Sequence, residues 1–235
     1  MLKLKRIKAF IKLRCPTCFQ VYCAIRQWRF NYMESIFSEI YHALLKEGAE
    51  TVSGPGSTLL QTGVIRAELP ILMDEINAES LLDVPCGDLH WMKHTKLKIK
   101  RYIGVDIVPE LIEQNKQKFG SDTRKFLKLD ISKDDLPQMD IILCRDLLPR
   151  LTFRDIFRVI RNFKKTESQY LLTTTHTEVK TNWNIITGSW RPINLQLPPF
   201  NFPRPIKLIN ERNTEEDGKY SSKSLALWRL EDITI

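Results

Sequence analysis

Apolar and polar positions follow two rhythms along this chain. Between Tyr32 and Glu47 the apolar residues Ile36, Phe37, Ile40, Tyr41, Leu44 and Leu45 recur every three to four positions, the period of an amphipathic helix. Gly48 stands where a left-handed cap would end it. A second helical stretch runs from about Thr58 to Ile76, with a break or restart expected at Pro70. Between the two, Ser53-Gly54-Pro55-Gly56-Ser57 is a cluster of breakers, read as a hinge or linker or as a lid over a ligand.

From residue 80 the rhythm changes. Short apolar runs at 80–84, 101–106, 126–130, 140–144 and 170–175 are bounded by turn formers and mostly separated by helical patterns, as buried parallel strands are. A short helix is expected after the first run. Pro109 suits the first turn of a helix that should stop at Gly120. Thr152 and Asp155 have capping-box spacing ahead of an apolar face made by Phe153, Ile156, Phe157, Ile160 and Phe163. Residues 176–204 are rich in Pro, Asn and Trp and have no period. So long an irregular connection inside a compact domain is usually functional. Two last strand patterns, about 205–211 and 224–231, flank Glu216-Asp217-Gly218 and read as an antiparallel hairpin.

Charge divides the chain. Residues 1–30 hold eight bases and no acid, which accounts for the whole net charge of +8, and the remaining bases and acids balance. The body therefore has no excess that would attract nucleic acid. The arm 1–30 is read as a poorly ordered or domain-packing terminus, with peripheral contact to an anionic membrane as the sharper alternative. This predicts three segments: the arm 1–30, the helices and loop of 31–78, and a core of 79–235 with 176–204 as its substrate loop. Five cysteines are too sparse for a disulfide scaffold and suggest a reducing, cytoplasmic setting. Cys15, Cys18 and Cys23 lack a fourth ligand nearby, so no metal is expected.

Candidate chemistry gathers at the strand ends. The run Leu81 to Val84 ends on Pro85-Cys86-Gly87, and Gly87 lets a ligand approach the main chain closely. Asp83, Asp106 and Asp130 lie at the ends of three successive strands. An acid at 106 can accept both hydrogen bonds of a ribose diol, and one at 130 can accept from an adenine amino group. These strand ends, with Leu82-Asp-Val-Pro-Cys-Gly-Asp88, Tyr102-Ile-Gly-Val-Asp-Ile-Val-Pro-Glu110, Ser53-Gly-Pro-Gly-Ser57 and Thr187-Gly-Ser-Trp-Arg-Pro192, resemble class I S-adenosylmethionine-dependent methyltransferases. The likeness is to a branch in which Pro-Cys-Gly-Asp replaces the glycine-rich loop. The resemblance covers roughly 50–235. It implies an α/β, Rossmann-like, doubly wound and mostly parallel seven-stranded sheet with a C-terminal antiparallel hairpin. It puts Asp83 and Gly87 beside the methionine part of the cofactor, Asp106 at the ribose and Asp130 near the adenine. Pro85, Cys86, Asp88, Ile107, Ile131, Cys144 and Arg145 complete the expected seat.

A nicotinamide dehydrogenase would show a similar strand, turn and acid. Its pyrophosphate needs a helix start free of competing negative charge. Asp83 and Asp88 suit an ammonium and a sulfonium better, so the expected cofactor is S-adenosylmethionine. A weakly binding, non-catalytic partner subunit is the other alternative. The acceptor is read as a small molecule or glycan, O-methylated with His176 or Asp146 as base. Trp183, Asn184, Trp190 and Arg191 would stack on it and hydrogen-bond to it.

Overall fold

The computed structural model describes residues 32–235, and the expectations for the arm 1–30 and for Cys15, Cys18 and Cys23 lie outside them. Among the described residues, two α-helices precede the sheet: α1 (Tyr32–Glu47), followed by Gly48 at φ 64°, and α2 (Gly63–Glu75). Residues 58–62 form turns, and α2 runs through Pro70 where the sequence predicts a break. Ile65, Leu69, Leu72 and Met73 are buried on both sides of the proline. Their packing holds the turn that lacks the proline's hydrogen bond.

Seven strands follow: β1 (Ser80–Asp83), β2 (Arg101–Asp106), β3 (Arg124–Lys128), β4 (Ile141–Cys144), β5 (Tyr170–His176), β6 (Lys207–Asn210) and β7 (Lys223–Arg229). Their order in the sheet is β3-β2-β1-β4-β5-β7-β6. Only β7 runs against its neighbours, pairing antiparallel with β5 and β6. The expected sheet and C-terminal hairpin are both present.

Side chains alternate between two apolar layers. Leu81, Ile141, Leu143, Leu225 and Leu227 enter the layer shared with α2. Leu82, Ile142, Cys144, Ala226 and Trp228 enter the other, with Ile156, Val159, Ile160 and Phe163 of α4 (Phe153–Lys165). Burial on both faces is why these strands read as unbroken apolar runs. The edge strand β3 buries only Phe126 and lies two residues earlier than its pattern suggests. A 3₁₀ turn at Met92–His94 replaces the short helix expected after β1, with Trp91 and Met92 in the core. The helix after β2, α3 (Pro109–Phe119), starts and stops as its proline and Gly120 predict. Thr152 caps α4: its Oγ1 accepts the amide of Asp155 at 3.0 Å and donates to the Asp155 carboxylate at 2.8 Å.

The irregular stretch 176–204 closes the second layer with Ile193, Leu195, Phe200 and Phe202. At the carboxyl edge of the sheet, α1 lies across the strand ends. Glu34 pairs with Lys128 at 2.7 Å, and the Tyr41 hydroxyl accepts from Gln114 of α3 at 3.2 Å.

Candidate active site

The turn after β1 is bonded to the strands beside it. The amide of Val84 donates to the Leu143 carbonyl at 2.8 Å, and that of Cys86 to the Val105 carbonyl at 2.9 Å. Gly87 then takes φ 55°, and a Cβ there would lie 2.1 Å from Ser53 Oγ, so conformation and space both require glycine. Its carbonyl accepts from Asn115 Nδ2 at 2.7 Å.

Buried acids meet at this turn. Asp106 accepts the amide of Gly87 at 3.1 Å on Oδ2 and that of Val108 at 3.0 Å on Oδ1. Asp83 accepts the Tyr102 hydroxyl at 2.6 Å. Burial pushes the Asp83 carboxyl up to about 7, opposed by the Tyr102 hydrogen bond and reinforced by the nearby charge of Asp106. Burial also raises Asp106 to about 6, against the pull of the amides of Val108, Gly87 and Ile107. Two carboxylates so costly to ionise would be relieved by a cation. Asp130 accepts from Ser132 Oγ at 2.7 Å and faces Lys133 at 3.3 Å.

One cavity brings together most of the residues singled out in the sequence: Asp83, Pro85, Cys86, Gly87, Asp106, Ile107, Asp130, Ile131, Arg145 and Asp146 line it. Met33, Phe37, Ile40 and Tyr41 of α1 roof it, and Ser53 and Ser57 bring the 53–57 loop into its wall, as a lid rather than a linker would be placed. Two expected residues stand apart. Asp88 turns away and fastens the loop, accepting from Thr51 Oγ1, Ser53 Oγ and the amides of Val52 and His90. Cys144 lies in the layer under α4, where burial pushes its thiol up to about 12.

Beyond β4 the cavity ends in an ionic cluster that sequence spacing did not reveal. Arg145 donates to both carboxylate oxygens of Glu211, at 3.2 and 2.6 Å, to Ser57 Oγ at 3.1 Å and to the Gly56 carbonyl at 2.7 Å. Lys223 reaches Asp146 at 2.5 Å and Glu211 at 3.5 Å. Asp146 has φ 58°, uncommon outside glycine, and its amide donates to Thr174 Oγ1 at 2.8 Å. Although burial acts the other way, the charges of Lys223 and Arg145 hold its carboxyl well below the usual range, so it is a weak base. Arg150, also unforeseen, lines the same end.

The residues expected on the acceptor do not line this cavity. Arg191 spends its guanidinium on the carbonyls of Leu148, Pro149, Leu151 and Trp183. Asn184 accepts the amide of Phe153 at 2.8 Å and so caps α4. Trp183 is 49% exposed. Trp190 packs edge-on against Tyr220 and His176. His176 accepts the Ile193 amide on Nδ1 at 3.3 Å, while its buried Nε2 has no partner among the described residues. Burial lowers it to about 4, against the nearby charge of Asp146, so the ring is neutral. Arg191, Asn184, Trp190 and His176 were legible as chemistry but are used to fold the 176–204 stretch against the 148–151 turn, α4, β5 and Tyr220.

The fold is that of the class I S-adenosylmethionine-dependent methyltransferases. A family model described as a methyltransferase domain matches residues 82–166, from β1 through α4. Among solved structures, phosphoethanolamine N-methyltransferase 1 from Haemonchus contortus superposes with a TM-score of 0.59 at 8% identity, covering 86% of this chain and 49% of that one. Human N-acetylserotonin methyltransferase gives 0.53 at 15% identity, covering 86% and 67%. The N-methyltransferase NodS from Bradyrhizobium japonicum WM9 gives 0.51 at 14%, covering 69% and 94%. The chain thus spans about half the length of the Haemonchus enzyme. No curated protein matches it in sequence. No helix among the described residues is long and apolar enough to cross a membrane.

Proposed function

We propose that this chain binds S-adenosylmethionine at the ends of β1, β2 and β3 and methylates a small polar acceptor entering at the Arg145–Asp146 end. The observation that carries the reading is the convergence of Asp83, Asp106 and Asp130 on one cavity with Gly87. Asp83 and Asp106, raised by burial, suit a ligand with cationic groups, and Ile107, Leu129 and Ile131 offer apolar faces to a nucleoside. The turn at Gly87 has a fixed left-handed backbone, and Ser53 of the 53–57 loop packs into the space a side chain would fill, so the loop is seated directly on the turn.

When bound, the cofactor would supply an electrophilic methyl group on a sulfonium. The chain's part is then alignment of the acceptor and exclusion of water. The α1 roof and the 53–57 loop provide the cover. Asp146 is ion-paired, and His176 lies off the cavity, so positioning is favoured over strong base catalysis. A saccharide remains one member of the acceptor panel, supported now by the polar wall of Ser53, Ser57 and Asp146 rather than by the 176–204 aromatics. Titrating the full chain with S-adenosylhomocysteine by calorimetry, then screening small amines, acids, phenols and sugars with methyl-labelled cofactor, tests the reading. A full chain that melts cooperatively yet binds no S-adenosylhomocysteine would falsify it.

A further inference from the structure

The acceptor end of the cavity has spent its negative groups and kept donors in hand. Glu211 and Asp146 are both neutralised, the first by Arg145 and Lys223, the second by Lys223 and Arg145. Arg145 is itself consumed by Glu211, Ser57 and Gly56. Arg150 differs. Arg150 lines the cavity, and no carboxylate or other acceptor among the described residues takes a bond from its guanidinium. Its backbone is fixed, with the amide donating to Leu147 and the carbonyl accepting from Gly188, each at 2.8 Å. Nη2 stands beside the 54–57 loop, 3.8 Å from where a Cβ on Gly54 would be. Ser57, on the same wall, accepts from Arg145 through Oγ, and its hydroxyl proton has no acceptor among the described residues.

A partly buried guanidinium without a counter-ion is costly, and a planar oxyanion removes that cost with two parallel hydrogen bonds. A neutral sugar does not. We propose that Arg150, with the Ser57 hydroxyl lining the same cavity, anchors a carboxylate or phosphate group on the methyl acceptor, a reading that rests on the methyltransferase function above. The acceptor is thus an anionic small molecule. Its charged end lies against Arg150 and its reacting atom faces inward, toward the buried acids.

The full chain saturated with S-adenosylhomocysteine is titrated by calorimetry with inorganic phosphate, with benzoate, and with glucose as the uncharged control. At least one anion should bind the parent, glucose should not, and Arg150→Gln should weaken that anion by about tenfold or more. Arg150→Lys, which keeps the charge and loses the fork, should fall between. The side chain bonds to nothing among the described residues, so the variants should melt with the parent. Failure of both anions to bind the parent, or equal anion affinity in Arg150→Gln, overturns the proposal. A tenfold loss of S-adenosylhomocysteine affinity in Arg150→Gln also overturns it, assigning the guanidinium to the cofactor's own carboxylate. If the parent binds no S-adenosylhomocysteine, the methyltransferase reading fails instead, and anion titration of the unloaded chain still decides Arg150.

Discussion

The carboxylate of Asp106 receives the amide proton of Gly87, nineteen positions earlier in the chain, at 3.1 Å. The last residue of β2 thereby sets the turn that follows β1. Its other oxygen holds Val108 at the start of α3. Asp106→Ala should lower S-adenosylhomocysteine affinity by about 1–3 kcal/mol, through lost ligand bonds and a loosened Gly87. Unchanged affinity by calorimetry would place the nucleoside elsewhere.

Asp88 sits next to that turn and does different work. Its carboxylate holds Thr51, Val52 and Ser53, the approach to the cavity lid. In Asp88→Ala the amides of Val52 and Ser53 should exchange hydrogen markedly faster, read by mass spectrometry, while the β4 and β5 amides keep their protection. Should exchange at 51–57 match the parent, Asp88 is not what fastens the loop.

Protonation gives the stability two opposed limbs. Asp83 is raised from 3.8 to about 7, so in the free protein its contribution is complete below about pH 4 and is lost as pH rises through 7. His176 is lowered from 6.5 to about 4, so its contribution is complete above about pH 6.5 and is lost as pH falls through 4. Asp83→Asn should flatten the first limb and His176→Gln the second, measured as melting temperature against pH. A cationic ligand favours ionised Asp83, so cofactor affinity should rise from pH 6 to 8 with proton release. Binding heats that are the same in buffers of different ionisation enthalpy would exclude that release.

Arg191 tests whether the 176–204 stretch folds the protein or grips the acceptor. Four carbonyls share its guanidinium. Arg191→Ala should cost on the order of 3 kcal/mol in denaturant unfolding and leave S-adenosylhomocysteine affinity alone. A variant as stable as the parent but altered in acceptor KM would return the residue to the site.

Much of this fold was readable because its strands are buried on both faces: Leu81 to Val84 and Ile141 to Cys144 could be little else. The nucleoside end was readable for a related reason. Asp83, Asp106 and Asp130 each close an apolar run, so sequence position alone puts them on one edge. The acceptor end was not. Arg145, Glu211 and Lys223 meet across gaps of 66 and 12 residues, which no local period records. Trp190 and Arg191 misled because a residue type able to grip a ring is equally able to pin a loop. Pro70 misled because burial on both sides outweighed its missing bond.

The cluster at the acceptor end also bears on how the protein comes into being. Glu211 and Lys223 lie at the edge of β6 and the start of β7, well past residue 166, where the methyltransferase family match stops. A growing chain can assemble β1 to β5, and with them most of the nucleoside seat, while its last strands are still being made. Until β6 and β7 are in place, Arg145 and Asp146 lack their main partners, and the guanidinium that holds Gly56 and Ser57 lacks its own brace on Glu211. Order of synthesis thus gives a built-in sequence of maturation, in which the wall facing the acceptor is the last part of the cavity to set.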